Sequence, residues 1–169
     1  LFQQSGTADP SGAVGGVYRS TDGGANFANV SSSFCRGLVQ VPDNFNVQYY
    51  SATGVGVANG LYKSTNGGVT WTQVTAAVSG ANVGRLAIGV SKDGTQVYIG
   101  GDNNGQIVLQ ESSDSGATWN TARNNSGEGT ALTYCEGQCF YDNAIGVNPF
   151  DGNDVFYGGV GLYRSTNGS

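Results

Sequence analysis

Short runs of apolar and aromatic residues, about four positions long, alternate with runs of Gly, Ser, Asn and Asp along the whole chain. This alternation is typical of short strands joined by tight turns and not of helices. One set of runs lies at 16–19, 60–63, 107–110 and 161–164. Three other sets recur with it. A second set precedes it, at 1–4, 47–50, 97–100 and 155–158, and a third set precedes the second, at 38–41, 86–90 and 144–147. A fourth set follows the first, at 27–30, 71–74 and 119–122.

A polar motif follows each run of the first set. It reads STDGGANF at 20–27, STNGGVTW at 64–71 and SSDSGATW at 112–119, and it begins again as STNGS at 165–169. The copies are spaced by roughly 44 to 53 residues, a period found in propeller blades and solenoids. Four short strands in each period are typical of a propeller blade. The sequence therefore predicts an all-β fold of four-stranded antiparallel blades.

The repeat divides one propeller segment, 1–169, into four predicted blades. The first is partial at 1–34, the second and third are complete at 35–79 and 80–126, and the fourth is partial at 127–169. The first blade lacks its first strand and the fourth blade lacks its last strand, so we expect a partial or open propeller. Open strand edges need a cover. Either the remainder of a longer chain or neighbouring copies of the protein would supply it.

The motif residues suit a tight turn between the third and fourth strands of a blade. The third-position Asp or Asn accepts backbone N–H bonds in an Asx-type turn, the glycine supplies a positive φ, and the serine hydroxyl satisfies other polar groups. The closing aromatic begins the next strand and packs on its apolar side. These structural roles are predicted for Ser20, Asp22, Gly24, Phe27, Ser64, Asn66, Gly68, Trp71, Ser112, Asp114, Gly116, Trp119, Ser165 and Asn167.

Charge and composition exclude several classes of function. The 169 residues include 7 Lys and Arg, 12 Asp and Glu, and 0 His, for a net charge of −5. Because no basic cluster exists, the footprint of a nucleic-acid-binding protein is missing. No apolar run is long enough to span a bilayer. Without histidine the commonest general base and zinc ligand are absent, and we predict neither a metal nor a cofactor.

The chain begins with Leu and contains 0 Met, which indicates a mature or excised segment. Low charge combined with abundant Asn, Ser, Thr and Gly is typical of secreted proteins. We therefore expect a secreted, extracellular or cell-surface location.

The motif resembles the Asp-box, or BNR repeat, whose consensus is Ser-x-Asp-x-Gly-x-Thr-Trp. The third copy fits every position, whereas the second has Asn66 for Asp and the first has Phe27 for Trp. The resemblance covers nearly the whole chain and implies a β-propeller whose boxes lie on the rim. Among Asp-box propellers the chain is most similar to uncharacterised secreted bacterial proteins, and more distantly to xyloglucanase-type glycoside hydrolases and sortilin-type propellers. The Arg-Ile-Pro motif of sialidases has no match.

Three cysteines, Cys35, Cys135 and Cys139, cannot all pair within one chain. The first interpretation is a local disulfide between Cys135 and Cys139, in the loop between the third and fourth blades. The alternative pairs Cys35 with either of them. Metal binding and cysteine catalysis both lack a histidine partner.

Loop acids offer carboxylates for glycoside hydrolysis, which needs two of them roughly 5–10 Å apart. Many acids could pair, so no catalytic residue is singled out. Asp142 is the most notable because Phe140 and Tyr141, which precede it, could stack on a sugar. For Asp142 itself, the favoured interpretation is a structural residue of a hairpin turn or strand entry, and glycan contact is the alternative. The other loop acids are Asp43, Asp93, Asp102, Asp151, Asp154, Glu128 and Glu136.

Two functional hypotheses remain. The first is a noncatalytic extracellular module with a structural, adhesive or self-assembly role, whose partners are further blades or copies of itself and, as a further option, glycans. The second is a fragment of a polysaccharide-active glycoside hydrolase that resembles xyloglucanases. Two close carboxylates in a groove lined by exposed aromatics would favour the second hypothesis.

Overall fold

The computed structural model describes residues 2–4, 15–53, 58–124 and 134–168. The described residues form strands and turns without a helix. The strands are β1 (Phe2–Gln4), β2 (Gly16–Arg19), β3 (Ala28–Ser31), β4 (Cys35–Val41), β5 (Asn44–Ala52), β6 (Gly60–Ser64), β7 (Thr72–Gln73), β8 (Val83–Val90), β9 (Val97–Asn103), β10 (Gln106–Ser112), β11 (Asn120–Asn124), β12 (Ala144–Asn148), β13 (Asp151–Gly158) and β14 (Leu162–Ser165).

The strands form four antiparallel sheets in simple up-and-down order. We call them blade 1 (β1–β3), blade 2 (β4–β7), blade 3 (β8–β11) and blade 4 (β12–β14). Among the described residues, blades 2 and 3 have four strands each, and blades 1 and 4 have three. In blades 1 to 3 the motif turn joins the last two strands. The prediction of an all-β, partial propeller is confirmed.

Local sequence explains the hairpins. In the turn between β8 and β9, the Asp93 carboxylate accepts bonds from the Ser91 hydroxyl and the Thr95 amide, at 2.6 and 3.1 Å. Gly94 follows with a φ of 78°, a conformation that glycine adopts without strain. The turn between β12 and β13 is held in the same way by Asn148 and Asp151, which accept the amides of Phe150 and Asn153.

The core lies between successive blades. The first strands β4, β8 and β12 contact one another in sequence, so each blade packs face to face on the next. The largest apolar cluster joins blades 2 and 3 and includes Tyr49, Leu61, Leu86 and Ile99, all nearly or fully buried. Within the described ranges, no helix has the length and apolar character required to cross a membrane.

Candidate functional site

Each complete motif turn is closed by one serine and one acidic or amide side chain. In the third copy the Ser112 hydroxyl donates to Asp114 and accepts the Gly116 amide, both at 2.8 Å. The Asp114 carboxylate then accepts the amide and the hydroxyl of Thr118, at 2.8 and 2.6 Å. Gly116 has a φ of 86°. The first copy repeats this pattern with Ser20, Asp22 and Asn26.

The second copy shows why Asn serves at the third position. The Asn66 carbonyl oxygen accepts the Thr70 amide at 3.0 Å, and the Asn66 amide group donates to the Thr70 hydroxyl at 2.8 Å. Ser64 accepts the Gly68 amide at 2.9 Å. In the fourth copy the Ser165 hydroxyl donates to Asn167 at 2.7 Å. The turn therefore depends on shape and hydrogen bonding, and a charge is not required.

The motif copies differ in burial. Ser64 and Ser112 are about 1% exposed, whereas the turn around Asp22 faces solvent. Ser112→Ala is expected to lower the free energy of unfolding by about 1–3 kcal/mol, because the buried Gly116 amide loses its acceptor. Ser20→Ala removes the same bonds where water can replace them, and its cost should stay below about 1 kcal/mol. Urea unfolding of both variants tests this difference, and equal costs would contradict it.

Acid should weaken the motif turns. The hydroxyl and amide of Thr118, together with the Ser112 hydroxyl, lower the pKa of Asp114 to about 2. The stabilisation from this carboxylate is complete above its unfolded-state pKa of about 3.9 and is lost as the pH falls through about 2. Between about pH 5 and pH 2, the melting temperature of Asp114→Asn should therefore fall less steeply than that of the wild type.

Asn66 and Asn167 occupy this position naturally, so Asp114→Asn is expected to fold. The carboxyl group of Glu111 has the opposite effect on how stability changes with pH. Burial raises its pKa, so its contribution to stability is present at low pH and is lost as the pH rises. Identical pH profiles for the wild type and Asp114→Asn would show that the turn carboxylate does not set the acid sensitivity.

Two basic residues that directly precede motif serines link one blade to the next. Arg19 of blade 1 donates from Nε to the Gly67 carbonyl of blade 2, at 2.9 Å. Lys63 of blade 2 donates from Nζ to the Ser115 carbonyl of blade 3, at 2.6 Å. Tyr49 donates its hydroxyl to the same carbonyl at 2.8 Å. Both cations therefore act as contacts between blades.

A disulfide joins Cys135 to Cys139 in the loop before β12, which we call the disulfide loop. Cys35 is buried in blade 2, and burial raises the pKa of its thiol to about 12, so the thiol is protonated at neutral pH. Among the described residues, no group of three His, Cys, Asp or Glu side chains is placed to hold a metal.

Asn143 anchors the disulfide loop to blade 3. Its amide donates to the Gly100 carbonyl at 2.7 Å, and its carbonyl oxygen accepts the Tyr134 hydroxyl at 2.9 Å. Tyr134 is fully buried, and burial raises the pKa of its hydroxyl. Sequence reasoning did not single out Asn143 or Tyr134, because neither belongs to the repeat.

The anchored loop presents two exposed aromatic rings. Phe140 and Tyr141 lie edge to face with centroids 4.5 Å apart. Arg85 of β8 donates to the Tyr141 carbonyl at 2.7 Å and fixes the backbone beneath the rings. Asp142 is half-buried beside them. The three predicted glycan-contact residues thus lie on one loop whose backbone is held by a hydrogen bond from Arg85.

The other loop acids mostly serve their own turns. Asp154 pairs with Arg164 at 2.7 Å, Asp151 accepts the Asn153 amide, and Glu128 lies outside the described residues. Asp43 and Asp93 line a shared groove with the exposed ring of Phe150. Asp93 is committed to Ser91 and Thr95, while Asp43 lies 3.9 Å from Lys92 across an exposed pair. The remaining loop acids are Asp102, which is half-buried, and Glu136, which is exposed.

No protein-family model matches this chain, and no curated protein matches it. Several solved structures do resemble this chain. A GH74 enzyme from Niastella koreensis has a TM-score of 0.63 at 22% identity, over 92% of this chain and 26% of that chain. An ancestral GH74 enzyme has a TM-score of 0.63 at 18% identity, over 91% of this chain and 20% of that one.

A GH74 xyloglucanase from Xanthomonas campestris has a TM-score of 0.56 at 21% identity, over 80% of this chain. This chain spans only 20–26% of the length of these three proteins. At such identities the likeness establishes a shared fold. The chain is accordingly similar to one part of a larger propeller enzyme.

Proposed function

We propose that this chain is a noncatalytic segment of an extracellular Asp-box β-propeller with a structural, adhesive or self-assembly role. The observation that most supports this proposal is the contrast between the two inner blades, 2 and 3, and the two outer blades, 1 and 4. Blades 2 and 3 are four-stranded and covered by neighbours, whereas the described strands of blades 1 and 4 form three-stranded sheets. Open sheet edges and faces demand further blades as partners. A disulfide in a small loop fits an oxidising, extracellular environment.

The carboxylates support a noncatalytic role. Four of them, Asp22, Asp93, Asp114 and Asp154, accept hydrogen bonds that lower their pKa values. Such groups are ionised and structurally occupied, whereas a glycosidase acid requires a raised pKa and access to the glycosidic oxygen. Glu111 does have a pKa raised by burial, but it lies on β10 at the contact with blade 4.

Hydrolysis assays test the noncatalytic role. The protein should release no reducing ends from xyloglucan, β-glucan or xylan above a heat-denatured control. Release of sugar would overturn the proposal. Asp142→Asn and the double variant Asp43→Asn/Asp93→Asn would then show whether the disulfide loop or the groove carries the activity. Both sets of variants alter exposed or half-buried side chains, so they should fold.

A second candidate function is glycan binding without cleavage at the disulfide loop. The observation that favours it is the pair of exposed rings, Phe140 and Tyr141, on a backbone fixed by Arg85 and Asn143. Exposed aromatic faces on a hydrogen-bonded loop are suited to stacking on sugar rings. The structural neighbours of this chain include a xyloglucanase from Xanthomonas campestris, so xyloglucan is the natural probe.

Calorimetric titration with xyloglucan oligosaccharides tests this candidate. Phe140→Ala/Tyr141→Ala should lose binding, while Phe150→Ala, in the separate groove, should retain it. The opposite pattern would place the glycan in the groove beside Phe150. Absence of binding to the wild type would rule out xyloglucan as a ligand.

A further inference from the structure

A cation and an aromatic ring form a covered pair on blade 2. Tyr49 and Lys63 lie opposite each other in the β5–β6 register, with the Lys63 ammonium 5.6 Å from the ring centroid. Tyr49 is 0% exposed and Leu61, on the same sheet face, is 0% exposed. The motif turn of blade 3 covers the pair and offers the Ser115 carbonyl to both polar groups, at 2.8 and 2.6 Å.

Blade 4 repeats this pair in register, but there it faces solvent. Phe156 lies opposite Arg164 in the β13–β14 register, and the guanidinium carbon is 5.5 Å from the ring centroid. Leu162 stands where blade 2 has Leu61, because both lie two residues before the cation of the pair. Phe156 is 38% exposed and Leu162 is 75% exposed. We call Phe156, Leu162 and Arg164 the blade-4 face.

Arg164 is held ready to donate. Its Nε and one terminal nitrogen bond the two Asp154 oxygens at 2.7 and 2.9 Å, which positions the guanidinium over the Phe156 ring. A guanidinium has five N–H groups, so three remain for another acceptor. In the two contacts between blades that such a cation makes, the acceptor is the carbonyl of the fourth motif residue, Gly67 or Ser115.

The equivalent carbonyl group of the first motif copy is exposed at the other end of the molecule. The fourth residue of the first motif copy is Gly23, which lies in a solvent-facing turn with a φ of 73°. The neighbouring Asp22 carboxylate adds negative charge that suits an arginine. Phe27, at the end of this motif, is 49% exposed. The turn Asp22, Gly23 and Phe27, here called the blade-1 turn, therefore complements the blade-4 face in charge and in apolar surface.

We propose that the blade-4 face binds the blade-1 turn of a second copy of this chain. Arg164 donates to the Gly23 carbonyl, and Phe156 and Leu162 cover the apolar side beside Phe27. The contact is head to tail, so it can extend into a ring or a filament. This proposal rests on the proposed function and names its partner. The described strands of blade 1 number three, so the docked contact is smaller than that between blades 2 and 3, and we expect a Kd on the order of 0.1 mM.

Sedimentation velocity from about 0.01 to 1 mM protein, a range that brackets this affinity, tests the proposal. The wild type should grow in mean mass across this range. Two variants each remove one half of the contact: Phe156→Ser/Leu162→Ser at the blade-4 face and Phe27→Ser at the blade-1 turn. Each alone should stay monomeric. Phe150→Ser is the matched control, because its ring is 94% exposed on blade 4 outside the face, and it should associate like the wild type.

Mixing the two variants gives the sharpest result. Each variant keeps the half that the other lacks, so an equimolar mixture should form dimers and stop there. Species larger than dimers in the mixture, or association by either variant alone, would overturn head-to-tail docking through these residues. If the wild type stays monomeric at about 1 mM, roughly ten times the expected Kd, docking by a second copy is overturned. None of these outcomes depends on the hydrolysis assay that tests the noncatalytic role.

Discussion

Tyr49→Ala is expected to lower the free energy of unfolding by about 3–5 kcal/mol, the usual cost of truncating a fully buried aromatic side chain. The ring is 0% exposed, belongs to the cluster between blades 2 and 3, and lies beneath the Lys63 ammonium. The variant also removes a hydroxyl that donates to the Ser115 carbonyl. Urea unfolding of the wild type and the variant, fitted with one common m-value, measures the loss of unfolding free energy.

Phe156→Ala is the matched control, because Phe156 holds the same repeat position on blade 4. The ring is 38% exposed, so its truncation should cost only about 1 kcal/mol in the isolated protein. Tyr49→Phe separates the two contributions at position 49 and should cost about 1 kcal/mol, since only the hydrogen bond is lost. Equal costs for Tyr49→Ala and Phe156→Ala would show that contact between blades does not stabilise this position.

Gly101→Ala is expected to cost about 3 kcal/mol, at the upper end of the range for overpacking a filled core. Gly101 lies in β9 opposite Leu86 of β8, next to an irregularity in register between Val83 and Leu86. A methyl group there would overlap the Arg85 carbonyl and approach the Leu86 side chain to 2.9 Å. Because the carbonyl is backbone, β8 itself has to shift.

Gly146→Ala provides the control for strand glycines. Gly146 lies in β12, and a methyl group there would meet nothing within 4 Å. Its conversion to alanine should be neutral or slightly stabilising, because alanine restricts the unfolded chain. Thermal unfolding followed by circular dichroism compares the two variants. A Gly101→Ala protein as stable as the wild type would show that β8 yields easily, so that the blade core is loosely packed.

Much of the fold could be predicted because its determinants are local. The strand runs, the hairpin turns and the motif turns depend on residues close together in sequence. Ser112, Asp114 and Gly116, for example, bond one another within a span of four residues. Such contacts form wherever the right side chains recur at the right spacing, so a repeat in sequence becomes a repeat in structure.

The candidate sites depended on contacts that no local pattern encodes. Asn143 reaches Gly100 across 43 residues, and Lys63 reaches Ser115 across 52. The odd cysteine count left several pairings open, and only the approach of Cys135 to Cys139 decided between them. The groove that joins Asp43 and Asp93 likewise required three hairpin turns from separate blades to meet.

The sequence by itself determined the repeating unit, the strand order within each blade and the chemistry of the motif turns, because hydrogen bonds across a few residues enforce them. Tertiary structure alone decided which copies of a repeated residue are buried. Tyr49 and Phe156 occupy the same position in their blades, yet a neighbouring blade covers only the first. Burial is a property of the packed assembly, and a repeat unit carries no record of what lies against its face.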